Sequence, residues 1–154
     1  MHDDMRRKIL DELARHRIMT VATLRPDGWP QATIVGYAND GLLVYFICAQ
    51  DSQKAANLAS DPRISIAIGE DTDDPMGITG LSMAARAVPV ADRAEIDGAF
   101  RLMLERYPEY AAMPVDMTGI HVMRATPEVI SVLDYSREFG HADLVEVGPA
   151  DLAA

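Results

Sequence analysis

A single cysteine, Cys48, stands in the 154 residues, which excludes an intrachain disulfide and any paired-cysteine metal site. Its place in the apolar run Leu42 to Cys48 argues for burial in a reducing compartment, so a cytoplasmic location is expected. Long apolar runs are missing too: none approaches the roughly 20 residues of a membrane span. The first eight residues mix acids and bases and lack the apolar centre of a secretion signal. A soluble chain without a membrane partner is therefore expected.

Basic residues are scarce, 14 Lys and Arg against 24 Asp and Glu, for a formal charge of -10. Such a surface repels a phosphate backbone and argues against nucleic acid as a partner. A few local donors can still hold one phosphate against an unfavourable overall charge. The four histidines, His2, His16, His121 and His141, have no metal-binding spacing, so no metal is expected. There is no Gly-x-Ser-x-Gly nucleophile elbow, and Cys48 sits in an apolar strand pattern rather than an electropositive one.

What is present fits one domain over residues 1–154, at 49% apolar and 25% charged. Met5, Ile9, Leu10 and Leu13 predict an amphipathic helix over roughly 4–16. Strands follow at 17–24, 31–37 and 42–48, separated by Arg25-Pro26-Asp27-Gly28 and Asn39-Asp40-Gly41, whose Pro and Gly suit tight turns. Trp29, beside the first turn, is expected to pack at a sheet rim. Asp51 or Ser52 can cap a helix to Ser60 with Ala55, Leu58 and Ala59 inward, closed by Asp61-Pro62.

Ile64, Ile66 and Ile68 alternate along a strand at 63–69, and the acidic stretch 70–75 reads as a solvated loop. Residues 77–90 predict one long strand or two shorter ones, with Gly80 allowing a bend or a close approach. Asp92-Arg93-Ala94-Glu95 resembles a capping box before a helix that Pro108 ends. Strands at 120–125 and 129–133, and a short one at 144–147, complete the pattern. Short turn-linked strands with few helices predict an α+β, mainly β fold: a six-stranded antiparallel split β-barrel.

Two groups of residues can carry binding chemistry. Where the 42–48 strand gives way to the capped helix, the Ser52 hydroxyl, the Lys54 ammonium and helix N-terminal amides can serve one phosphate. The same residues also suit a plain helix cap beside a solvated lysine. Gln31, Thr33 and Tyr37 share one face of their strand and can hydrogen-bond a planar heterocycle, with Ala32 and Ile34 turned to the core. Tyr37, Tyr45, His121 and His141 are the candidates for an acid or base, none of them fixed by position; His121 and His141 are also the candidates for haem ligation.

Residues 21–30, Asp51-Ser52-Gln53-Lys54-Ala55-Ala56-Asn57-Leu58 and Asp61-Pro62-Arg63-Ile64-Ser65-Ile66 occur in an order and spacing that resembles the pyridoxamine 5'-phosphate oxidase-like split-barrel flavoproteins. The resemblance spans roughly Leu13 to Leu133. It implies a homodimer with flavin mononucleotide (FMN) at the subunit interface, a small-molecule redox substrate and oxidoreductase chemistry. It places Ser52, Gln53 and Lys54 by the phosphate, and Gln31, Ala32, Thr33, Phe46, Ile47 and Cys48 beside the ring or ribityl chain. The 77–90 strand would form the partner's side of the site.

Gln53 departs from the arginine that many flavin-binding members carry there. The arginine-containing C-terminal substrate clamp of the vitamin oxidase is also not evident in residues 144–152, which argues against that substrate. A deazaflavin or a haem on the same barrel, or a flavin-binding stress or storage dimer without turnover, are the alternatives.

Overall fold

The computed structural model describes residues 1–113 and 118–153. Helix α1 (Asp3–Arg15) buries Ile9 and Leu13, one turn apart, against a single curled antiparallel sheet. The strands are β1 (Ile18–Leu24), β2 (Pro30–Gly36), β3 (Ala38–Asp40), β4 (Leu43–Ala49), β5 (Arg63–Gly69), β6 (Thr79–Pro89), β7 (Ile120–Asp134) and β8 (Ala142–Glu146). Helix α2 (Gln53–Ser60) lies between β4 and β5, α3 (Arg93–Arg106) between β6 and β7, and a last short helix, α4 (Pro149–Leu152), follows β8.

The strands run in the order β2-β1-β5-β6-β7-β4-β3. β2 and β3 are the two ends of that path yet are joined by Tyr37 alone, so the sheet has to curl until its ends meet there. The expected split β-barrel is thus present, with eight strands instead of six. The tight turn expected to join the 31–37 and 42–48 strands as neighbours is corrected: Asn39-Asp40-Gly41 links β3 to β4, and β4 pairs with β3 and β7, not with β2.

β7 joins two of the expected strands into one. Residues 120–125 pair with β4 and residues 129–133 with β8, both along one edge, while β6 covers the other edge from Met123 to Asp134. Thr126-Pro127-Glu128 does not end the strand: the register against β6 slips between Ala84 and Ala85, so the Pro127–Glu128 step is absorbed as a bulge, where a proline without an N–H is tolerated. β6 runs unbroken past Gly80, whose missing side chain is required, since a Cβ there would lie 2.5 Å from the Ile68 carbonyl oxygen on β5.

The interior is filled by Val21, Phe46, Ile66, Leu81, Met83 and Ile130, with Ile9 and Leu13 of α1 closing one side. The seam at Tyr37 is held by Tyr107, just past α3. Its hydroxyl accepts from the Tyr37 N–H at 3.0 Å and reaches the Arg17 and Tyr37 carbonyl oxygens. Gly36 makes room for it, because a Cβ would sit 3.0 Å from that hydroxyl. Tyr107→Phe leaves these buried backbone groups without their partner and is expected to cost about 1–3 kcal/mol in urea unfolding.

Two smaller expectations are corrected. Trp29 is 72% exposed at the tip of the β1–β2 hairpin, because the Arg25–Asp27 turn carries it past the end of the barrel. At α3, Asp92 accepts from the Glu95 N–H as a cap, but the Glu95 carboxylate does not return the bond. It receives the Tyr45 hydroxyl at 2.9 Å and Arg124 at 3.0 Å, which fastens the start of α3 to the barrel wall. The acidic stretch 70–75 is exposed, as expected.

Candidate functional site

Cys48 and Ala49 end β4, and the chain turns directly into α2. Ser52 is the cap: its hydroxyl accepts from the Ala55 N–H at 3.1 Å and donates to the Ala49 carbonyl at 2.7 Å. Its proton is thereby committed to the turn. Lys54, one position into the helix, is half-buried and has no hydrogen bond or ion pair among the described residues. Burial lowers its pKa below the ordinary 10.5, with Cys48 acting in the opposite direction. Burial raises the Cys48 thiol, against the pull of Lys54 and Ser52, so this cysteine remains a protonated core thiol.

On its inner side α2 carries Asn57, which is 0% exposed. Asn57 Nδ2 donates to Thr23 Oγ1 at 2.9 Å and to Gln31 Oε1 at 3.0 Å, and its Oδ1 accepts from Gln53 Nε2 at 2.8 Å. This polar link between α2 and β1–β2 corrects the expected inner face of the helix: Asn57 and Leu58 are buried, while Ala59 is exposed. It also decides which way β2 faces. Gln31, Thr33 and Val35 turn inward, and Ala32 and Ile34 turn outward, opposite to the core position expected for them.

Thr33 Oγ1 is buried and has no hydrogen-bond partner among the described residues. A buried hydroxyl without a partner is costly and marks a place where a ligand or water belongs. Tyr37 leaves the predicted set: it is fully buried and its hydroxyl donates to the Leu13 carbonyl at 2.8 Å, a core role dictated by the barrel seam. Burial pushes both Tyr37 and Tyr45 up to about 12, so each phenol is a hydrogen-bond donor at neutral pH and not a base.

Phe46 and Ile47 part ways on β4. Phe46 is 0% exposed inside the barrel, whereas Ile47 faces outward beneath α3. There it helps line a cavity of about 800 Å³ between α3 and the ends of β2, β4 and β7, with Val35, Phe100, Met103, Tyr110 and His121. The lining is mainly apolar, with His121, Arg93 and Tyr110 as its ionisable groups. His141 lies elsewhere, in the β7–β8 turn, with Nε2 3.3 Å from Asp143. Among the described residues no three His, Cys, Asp or Glu side chains gather as a metal site, and no helix is long and apolar enough to cross a membrane.

Inward donors on β2 and an uncompensated cation at the start of α2 suit an anionic ligand that carries a planar, acceptor-rich ring; the α3 cavity is lined by other residues. The family profile of pyridoxamine 5'-phosphate oxidase matches residues 5–134. The chain belongs to this family. Among relatives of the pyridoxamine 5'-phosphate oxidase family, General stress protein 26 of Bacillus subtilis (strain 168) is 26% identical over 129 residues, 79% of this chain and 90% of that protein.

The same fold occurs in a haem binding protein from Mycobacterium smegmatis, with a TM-score of 0.80 and 22% identity over 95% of this chain. The chain spans 59% of that protein's length. HutZ, the haem storage protein of Vibrio cholerae, has a TM-score of 0.68 and 20% identity, covering 79% of this chain and 89% of HutZ. Ser52 and Lys54 stand at the start of α2, Gln31 is tied to that helix through Asn57, and Thr33 lies two positions further along β2. Sequence reasoning missed Asn57 and the α3 cavity. An asparagine one turn after Gln53, on a short helix otherwise lined by Ala and Leu, was the available signal for the first.

Proposed function

We propose that this protein binds FMN between two copies of itself and works as an oxidoreductase, moving electrons or hydride between a reduced nicotinamide or small organic donor and an acceptor. Family membership supports this reading, and the observation that carries it is Lys54. In a chain with ten more acidic than basic residues, a half-buried ammonium that meets no carboxylate among the described residues is a charge awaiting an anion. The unpartnered Thr33 hydroxyl supplies a second, neutral donor for a ring.

Lys54 and the first turn of α2 would hold the phosphate, with Gln31 and Thr33 toward the heterocycle. When bound, the flavin supplies the redox chemistry, and the chain orients it and excludes water. Ile47 and the α3 cavity give an apolar substrate room, and His121 on that wall is the imidazole available to it. Gln53 does not replace the missing arginine as a phosphate donor, since its amide is turned to Asn57.

The second copy is supported by the outer face of β1, β2, β5 and β6. Ala32, Ile34, Ala67 and Ala84 are exposed there, Ile34 by 70%, with the exposed Arg63 and Arg86 paired at one end of the same face. Sedimentation is expected to give twice the chain mass.

A haem reading has one observation in its favour: His121 lines a cavity of about 800 Å³ in a fold shared with haem binding proteins. An absorbance spectrum of the purified protein, with mass analysis of any released ligand, tests the two together. Flavin bands and an FMN mass are expected. A Soret band or a deazaflavin mass would reassign the cofactor, and a colourless protein that fails to take up added FMN at micromolar concentration would overturn the flavin reading.

A further inference from the structure

Asn57 is a fully buried polar side chain that connects two of the residues expected beside the cofactor. Gln53 Nε2 donates to Asn57 Oδ1 at 2.8 Å, and Asn57 Nδ2 donates onward to Gln31 Oε1 at 3.0 Å. An amide that uses its oxygen in this way has only its nitrogen left to offer. Gln31 Nε2 has no acceptor among the described residues, and two positions further along the same inward face lies the buried, unpartnered Thr33 Oγ1. Asn57's second proton goes to Thr23 Oγ1 at 2.9 Å, on the strand paired with β2, so the carboxamide is held from three directions.

We propose that Asn57 is a positioning residue: it fixes the polarity of the Gln31 carboxamide so that Gln31 Nε2, together with the Thr33 hydroxyl, presents hydrogen-bond donors to the acceptor edge of the bound ring. The inference rests on the flavin reading above, because the ring's carbonyl oxygens and imine nitrogens are the acceptors such a pair recognises. It also accounts for Gln53. A charged guanidinium at that position would reach for phosphate, whereas a neutral amide completes the Asn57 carbonyl and sets the direction of the whole relay.

The near-isosteric Asn57→Asp exchange separates this role from simple packing. Aspartate still accepts from Gln53 but has no proton for Gln31, so Gln31 turns its nitrogen toward residue 57 and its oxygen toward the ring. Oxygen facing oxygen is expected to weaken FMN binding about 10- to 100-fold, read by titrating FMN into the full-length protein and following flavin fluorescence. In a Gln31→Met background the same exchange is expected to change affinity by less than about twofold, because the residue through which Asn57 acts is gone.

Unchanged affinity in Asn57→Asp, or an equal loss in both backgrounds, would overturn the relay and leave FMN binding standing. Wild-type protein that ignores FMN would overturn both. Should Asn57→Asp not fold, side-chain amide NMR of the wild type decides: the Asn57 amide protons should exchange slowly without ligand, and the Gln31 amide resonances should shift on adding FMN. Gln31 resonances that stay in place would exclude its contact with the ring and with it the proposal.

Discussion

Replacing Lys54 by glutamate is expected to abolish retention of FMN, weakening its affinity by about 100-fold or more, because a charge-assisted contact becomes a repulsion at a half-buried position. Lys54→Met serves as the control for folding. It removes the ammonium without adding a carboxylate, and is expected to weaken FMN by about 10- to 100-fold while the melting temperature holds or rises.

The pH dependence has a definite sign. Burial lowers the Lys54 pKa below 10.5 in the folded chain, so the unfolded chain holds that proton more tightly. The resulting penalty on folding is present in full below the lowered pKa and is relieved as pH climbs from there toward 10.5. Phosphate binding needs the ammonium, so FMN affinity falls over the same rise in pH. Both effects should vanish in Lys54→Met, which can be checked by parallel binding titrations and unfolding curves.

Phe46→Ala is the largest expected effect on stability. The ring is 0% exposed at the centre of the barrel, and its loss should cost about 3–5 kcal/mol in urea unfolding. Ile47→Ala, one residue further along, should cost less and act chiefly on what the α3 cavity accepts, because that side chain lies on the opposite face of β4. A comparable loss from both would contradict the division of β4 into a core face and a cavity face.

Much of the fold was written locally. The alternation of Ile64, Ile66 and Ile68, the Gly-containing turns and the Ser52 and Asp92 caps each depend on a few neighbouring residues, and each is found where the pattern puts it. The orientation of β2 was not local. Period-two alternation separates Gln31 and Thr33 from Ala32 and Ile34 but does not say which pair is inside. The choice falls to Asn57 on a distant helix, whose buried amide needs Gln31 as a partner.

Tyr37 illustrates the same limit. Its spacing matches Gln31 and Thr33, but β2 stops at Gly36, and the phenol goes to Leu13 because the two edges of the sheet converge at that residue. The cavity was illegible for a related reason: its walls come from β2, α3, β4 and β7, and no single segment carries its outline.

Helix α3 is anchored at both ends, and in between it packs Ala99 and Met103 against the barrel wall while lining the cavity. Glu95 is tied to Tyr45 and Arg124 at the start, and Tyr107 is tied to the barrel seam just beyond the finish, with Phe100, Met103 and Leu104 facing the cavity in between. A span fixed at its piers can be resurfaced without moving them. Substitutions at Phe100 and Leu104 should therefore retune which guest enters while the strand-borne donors keep their places, so that affinity for the resident group and choice of its visitor can drift apart during evolution.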